Sequence, residues 1–359
     1  MSSELIRKTL EAIRPLDDAD LALRIESRWN SLTKPPGSLG RIEDMVVHLG
    51  LIQGTVQPGV ARRAMFLFCA DHGVTEEGVS AFPSEVTRQM VRNFLGGGAA
   101  ISVLCRQFDI EPIVIDMGVR GAPDPGSVAL QLGQGTANFT KGPAMTRQQA
   151  IESLENGIEL AAEAARRFDL AGVGEMGIGN TTSAAALLSA FSGLDPDKTV
   201  GAGTGLDEQG LYRKSLTVRT GLQRNRDLLT DPIGILSAVG GFEIGGMAGF
   251  LLGAAAHRLP VVVDGFISCS AALIARALAP DSLDAVICSH QSAERGHRIM
   301  LEILGLQPFF ALDMRLGEGS GAALTMNLLD SAVRLYNEMA TFEQASVSEA
   351  AKPASEAVE

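Results

Sequence analysis

A chain of 359 residues, 46% apolar and 20% charged with 40 glycines and few aromatics, can bury a large core. That profile describes a globular α/β enzyme rich in tight turns and excludes a disordered or fibrous chain. The formal charge of −12 argues against nucleic acid as the main partner, because affinity for a phosphate backbone depends on clustered Lys and Arg. An anionic small molecule would then need a locally positive or amide-rich pocket.

In chain order, residues 4–31 read as one or two helices, with Pro15 and Asp17-Asp18 marking a restart. Thr33 to Arg41 is a rigid loop, and Ile42 to Gln53 resumes helical spacing. Six apolar runs follow: Ala64–Ala70, Pro112–Asp116, Leu170–Val173, Pro260–Asp264, Ala285–Cys288 and Pro308–Leu312. They are continuous in apolarity, as strands covered on both faces are, and helical segments separate them. This alternation predicts a parallel sheet with crossover helices. The expected organisation is a Rossmann-like α/β domain over 61–322, with a small helical domain from the chain ends. Residues 1–60 and a C-terminal helix over 323–344 would build that small domain, and 345–359 would form a disordered tail.

Cys69, Cys105, Cys269 and Cys288 form no CxxC pair and no zinc-like spacing, and three of them sit in apolar or small-residue segments, where a reduced, packed thiol is expected. Met1 to Lys8 has no long apolar core, and Ile244–Ala256 falls short of the roughly 20 residues of a membrane span. A cytoplasmic setting without signal peptide or membrane span is expected.

The strand ends carry the chemistry. The six runs lead into Asp71-His72-Gly73, Asp116-Met117-Gly118, Glu175-Met176-Gly177, Asp264-Gly265, Ser289-His290-Gln291 and Gly317-Glu318-Gly319. Ligands of open α/β sheets bind outside the carboxyl ends of the strands, so these polar residues are expected to face one crevice. The Gly174–Thr182 stretch reads as a strand, a glycine-rich turn and a helix with Thr181 or Thr182 at its N-cap. Such a helix start is an anion cradle. Gly201–Gly205 reads as a second backbone nest with Lys214 as point charge, or as a plain turn beside a solvated lysine.

Glu318 and Glu175 each have two readings, a carboxylate favoured by a helix dipole or a functional carboxylate in a confined pocket. His72 reads as a satisfied structural histidine or a ribose contact in preference to a metal ligand. Gly172–Gly177 formally fits G-x-G-x-x-G, but it begins inside the strand and lacks the acidic residue closing a second strand. Gly240–Gly249 has glycines at helical spacing, suited to close helix packing, with Glu243 as an N-terminal charge. No Mg²⁺–diphosphate signature is present.

Together these segments resemble one family, the nicotinate-nucleotide–dimethylbenzimidazole phosphoribosyltransferases of cobalamin assembly. The resemblance runs in order through TKPPGSLGR (33–41), Asp71-His72-Gly73, Glu85-Val86-Thr87 with Gln89-Met90, GEMGIGNTT (174–182), VGAGTG (200–205), Gly240 to Met247, Val263-Asp264-Gly265, Ser289-His290 and RLGEGSG (315–321). It implies transfer of the phosphoribosyl group of nicotinate mononucleotide to 5,6-dimethylbenzimidazole with inversion, without a metal or other cofactor. It also implies a homodimer. Glu318 would be the general base and Glu175 the companion carboxylate near the ribose. Gly177, Ile178, Gly179, Asn180 and Thr181, with Gly203, Thr204, Lys214, Asp264, Ser289 and His290, would hold the nucleotide and its phosphate. Ser80, Phe82, Gln89 and Leu316 would form the aromatic-base pocket.

Overall fold

The computed structural model describes residues 3–201, 203, 205 and 207–348. The first elements are α1 (Glu4–Ala12), α2 (Ala19–Ser31), α3 (Arg41–Gln53), β1 (Arg63–Ala70), α4 (Glu85–Leu95) and α5 (Ala100–Phe108). Next come β2 (Glu111–Gly118), β3 (Val128–Ala129), α6 (Arg147–Arg167), β4 (Leu170–Met176), α7 (Asn180–Ser192), α8 (Pro196–Thr199) and α9 (Glu208–Arg224). The chain closes with α10 (Pro232–Val239), α11 (Phe242–Ala256), β5 (Val261–Val263), α12 (Phe266–Leu278), β6 (Val286–Cys288), α13 (Arg295–Leu304), α14 (Ser320–Glu338) and α15 (Phe342–Ala345).

The described residues divide into two compact units, one of 3–16 with 60–327 and one of 17–59 with 328–348. The larger holds an all-parallel sheet in the order β3-β2-β1-β4-β5-β6. That is the Rossmann order, which reverses direction between β1 and β4 and opens a crevice there. β1 is buried along nearly its whole length, with Phe66 and Phe68 packed against Phe250 of α11. α11 lies closely on α6: a Cβ at Gly249 would meet the backbone of Leu154, and one at Gly157 the backbone of Gly249 and Phe250. Of the Gly240–Gly249 glycines, Gly245 and Gly249 therefore serve packing against α6, where their Cβ positions would meet Ser153 and Leu154.

The smaller unit is organised around aromatic and ionic contacts of its own. Trp29 and Tyr336 meet edge-on at 5.0 Å, and the buried Lys34 ammonium bonds Glu43 at 2.8 Å above the Trp29 ring. Glu43 also accepts the amide of Leu39 at 3.0 Å, so this carboxylate holds the Thr33–Arg41 loop. Gly37 and Gly40 take left-handed φ values of 70° and 54°, which explains their place in that turn.

Several expectations change. Pro308–Leu312 is not a strand: only Phe310 bridges, to His290, and Leu312 is exposed, so the run lacks the two-sided cover a central strand has. The sixth strand is instead the two-residue edge strand Val128–Ala129, too short to show a pattern. The N-cap of α7 is Gly179, with φ of 98°, and neither Thr181 nor Thr182 occupies that position. α1 groups with the larger unit and not with the rest of residues 1–60, because Ile6 and Ile13 join the main core. The C-terminal helix begins at Ser320 and is broken before α15. Of the expected disordered tail, 345–348 are described and 349–359 lie outside the described residues.

Candidate active site

A cavity of about 310 Å³ opens at the carboxyl ends of the central strands. Its walls come from the loops after β1, β4, β5 and β6, from α4, from α9 and from the segment before α14.

β4 ends in Glu175 and Met176, and the turn Gly177–Gly179 follows. Gly177 lies against the Ala70 carbonyl and the His72 ring, where a side chain has no room. Glu175 is buried, with Asn180 Nδ2 donating to its Oε2 and Gly317 pressed against its Oε1. Burial pushes its carboxyl up to about 8, and the charges of Asp264, Glu243 and Glu318 add to the shift while the Asn180 bond opposes it.

Glu318 stands between Gly317 and Gly319, and all three have left-handed φ, 64° at Glu318 against 83° and 86° at the two glycines. A non-glycine residue seldom holds that conformation unless its surroundings impose it. Its side chain lines the cavity, and its Oε2 is buried with no hydrogen-bond partner. Burial raises this carboxyl too; the Ile101 amide pulls it down and Asp264 pushes it up.

Asp264 leaves the end of β5 and meets the start of α14. Its Oδ2 accepts the amide of Gly319 (3.1 Å), and its Oδ1 accepts those of Gly321 (2.7 Å) and Ala322 (3.0 Å). Its carboxyl is raised to about 7 by burial, against the pull of those three amides. His290 lines the cavity with Nδ1 3.0 Å from the Ser289 hydroxyl, and burial lowers its pKa, favouring the neutral ring.

At the other end, Lys214 reaches in from α9. Its buried Nζ donates to Thr181 Oγ1 (2.9 Å) and to the Gly201 carbonyl (3.3 Å). Burial lowers it to about 8, partly offset by Glu294. The solvated-lysine reading is thereby set aside. Gly203, with φ of 55°, sits where a Cβ would be 3.3 Å from both Lys214 Nζ and Thr181 Oγ1. Arg315 Nη1 donates to the Gly203 carbonyl at 3.3 Å, which adds a second cation.

The structure brings fourteen of the expected residues onto one cavity: Ser80, Phe82, Glu175, Gly177, Ile178, Gly179, Asn180, Thr181, Gly203, Lys214, Asp264, His290, Leu316 and Glu318. Thr204 lies outside the described residues. Two others stand elsewhere. Gln89 is exposed and lines a separate cleft with Arg88, Arg92 and Arg120, because Val86 and Met90, one turn apart on α4, take the face toward the main cavity. Ser289 lies behind His290, its hydroxyl donating to the Asp264 carbonyl at 2.6 Å. Two amides of the expected cradle are also committed within the fold: Ile178 N–H to Thr87 Oγ1 (3.0 Å) and Asn180 N–H to the Gly177 carbonyl (3.0 Å).

The cavity includes residues that the sequence did not single out for the site. Arg315 and Met90 stood in motifs already recognised. Glu294, whose Oε2 is buried without a partner, carried no signal at all. His72 proves to be structural: Nε2 bonds Glu243 at 2.6 Å and Nδ1 bonds Ser183 at 3.1 Å, all three buried. Among the described residues no group of three or more His, Cys, Asp or Glu could hold a metal ion, and no helix is long and apolar enough to cross a membrane. All four cysteines are buried and free.

Fold and family together define the class. The sequence model of a phosphoribosyltransferase family matches residues 13–347, so this is an α/β enzyme of the phosphoribosyltransferase type. The nicotinate-nucleotide–dimethylbenzimidazole phosphoribosyltransferase of Geobacter sulfurreducens is 49% identical over 348 residues, covering 96% of this chain and 99% of that protein. The protein of the same name from Desulforamulus reducens is 50% identical over 348 residues, with the same coverage. The solved structure of CobT from Thermus thermophilus superposes with a TM-score of 0.87 at 45% identity, covering 92% of this chain and 100% of that one. The chain belongs to the nicotinate-nucleotide–dimethylbenzimidazole phosphoribosyltransferase family.

Proposed function

We propose that the protein transfers the phosphoribosyl group of nicotinate mononucleotide to 5,6-dimethylbenzimidazole with inversion, releasing nicotinate and α-ribazole 5′-phosphate. The observation that carries the mechanism is the Glu318 side chain lining the cavity, with its buried Oε2 lacking a hydrogen-bond partner. A desolvated carboxylate with a raised pKa suits a general base at neutral pH.

Glu318 takes the N–H proton of the benzimidazole as the other ring nitrogen attacks C1′. The C1′–N bond to the pyridinium breaks, and its electron pair neutralises the departing ring. Attack on the face opposite the leaving group converts a β- into an α-glycosidic bond. Because the leaving group is already cationic, no diphosphate or bound metal needs to draw electrons from C1′.

Glu175 stabilises the positive charge that develops on the ribose. In the free protein it holds a proton up to about pH 8. The incoming pyridinium favours the ionised form and restores the carboxylate when it is needed. Lys214, Gly203, Thr181 and the Gly177–Gly179 turn receive the 5′-phosphate, with Asn180 and His290 along the nucleotide. Ser80, Phe82 and Leu316 receive the flat base. Phe82 and Leu316 remain 50% and 57% exposed, apolar surface that an aromatic acceptor would cover. On this reading the protein works in the cytoplasm as a homodimer; light scattering of the purified chain tests the dimer, and a monomeric mass would exclude it.

The test is a product assay with both substrates and no added metal, read by chromatography and NMR. Equimolar nicotinate and an α-linked ribazole phosphate are expected. A β-linked product, or an absolute requirement for added metal, would overturn the mechanism.

A further inference from the structure

The carboxylate of Asp264 is bound to the segment that directly follows Glu318. Asp264 is the last residue before Gly265 at the end of β5, and its own carbonyl is fixed by the Ser289 hydroxyl at 2.6 Å. From that anchored position its carboxylate reaches 55 residues along the chain to three amides at the start of α14. A carboxylate offers about four acceptor sites, and these amides fill three of them. The helix start has no such partner of its own: the Ser320 hydroxyl donates to the Gly317 carbonyl instead of accepting an amide. The amides held are those of Gly319, directly after Glu318, and of Gly321 and Ala322, two and three residues further on. On the opposite side, a Cβ on Gly174 would meet Gly319 N at 2.5 Å, so strand β4 closes the loop from behind.

We propose that Asp264 is a positioning residue of the transfer reaction, gripping the Gly319, Gly321 and Ala322 amides so that Glu318 keeps its left-handed backbone and its carboxylate stays in the cavity. This rests on Glu318 being the general base. It replaces the direct nucleotide contact that the sequence suggested for Asp264. A residue with φ of 64° returns to a commoner conformation once its restraint goes, and the carboxylate then swings off the line of attack. Nucleotide binding draws on Lys214 and the Gly177–Gly179 turn and is left intact.

The experiment compares wild type, Asp264→Asn, Glu318→Gln and the double variant, each confirmed folded by circular dichroism. Asparagine retains one acceptor oxygen and turns an amide toward the remaining N–H groups. Asp264→Ser, which removes the charge and keeps an acceptor, serves if the asparagine variant does not fold. Asp264→Asn is expected to lower kcat by roughly 10- to 100-fold, with KM for nicotinate mononucleotide within about threefold of wild type. The double variant is expected to be no more than about threefold slower than Glu318→Gln alone, because the two residues act as one unit. Losses that multiply in full, or a tenfold rise in KM with kcat preserved, would overturn the assignment. Unimpaired turnover in Glu318→Gln would instead remove the general base itself, an outcome readable separately from the Asp264 results.

Discussion

A Cβ built on Gly174 would stand 2.6 Å from the carbonyl carbon of Glu318. The loop that carries the proposed base thus lies directly against the strand that carries Glu175. No side chain fits between them, and the two carboxylates face one cavity because of that approach. Gly174→Ala is expected to cost about 1–3 kcal/mol of stability through overpacking and to lower kcat as the loop is pushed outward. Thermal melts and steady-state kinetics check both parts.

Glu318→Gln removes the proton acceptor and keeps the volume. The variant is expected to fold and bind nicotinate mononucleotide normally while kcat falls by about 10² or more. Isothermal titration with the nucleotide alone, followed by turnover measurements, separates binding from chemistry. Near-normal turnover would exclude the base role.

The pH dependence follows from opposite requirements. Glu318 and Glu175 work ionised and are raised above the usual carboxylate range, so activity rises as pH climbs through their titrations. Lys214 works protonated and titrates at about 8, so activity falls above that. A narrow bell is expected in kcat/KM, which reports the free enzyme. In the complex, the pyridinium lowers the carboxyls and the phosphate raises the lysine, so the profile of kcat should be the broader of the two. Lys214→Ala should raise KM for the nucleotide at least tenfold, on the order of a charged hydrogen bond.

Glu175→Gln should trade activity for stability. The folded carboxyl titrates at about 8 against an ordinary value of 4.5, so folding takes up a proton between those limits. The stability this gives is complete below the unfolded value and is lost as pH rises through the folded one. Replacing the carboxyl with a neutral amide should therefore raise Tm more at about pH 8.5 than at about pH 5, while kcat falls. An equal gain at both pH values would contradict the raised pKa.

Removing His72 should act on the fold before it acts on chemistry. The His72–Glu243 contact is fully buried, and Glu243 Oε2 already lacks a partner. His72→Ala leaves a buried carboxyl uncompensated, at an expected cost of about 3–5 kcal/mol, whereas His72→Gln keeps a donor and should cost less. Chemical denaturation of both variants measures the difference.

The sequence by itself determined the alternation of apolar strands and helices, the parallel sheet and the gathering of polar residues at the strand ends. Those features are local: apolar runs, glycines at sharp turns and charges at helix starts act over a few residues. The motifs around Glu175 and Glu318 were legible for the same reason, as was the family likeness.

Tertiary structure alone decided which of these residues meet. Gln89 and Met90 are neighbours in the chain, and only packing of α4 sends Met90 to the cavity and Gln89 to another cleft. Pro308–Leu312 has a strand's composition, but with Leu312 exposed it lacks cover on both faces, so no strand forms. Lys214 could have been solvated; burial against Thr181 and Gly201 made it part of the site. Asp264 reads as a strand-end carboxylate like the others, yet its partners lie 55 residues away at α14. Pairings over such separations depend on how the sheet places its strand ends together, and no short-range pattern records that.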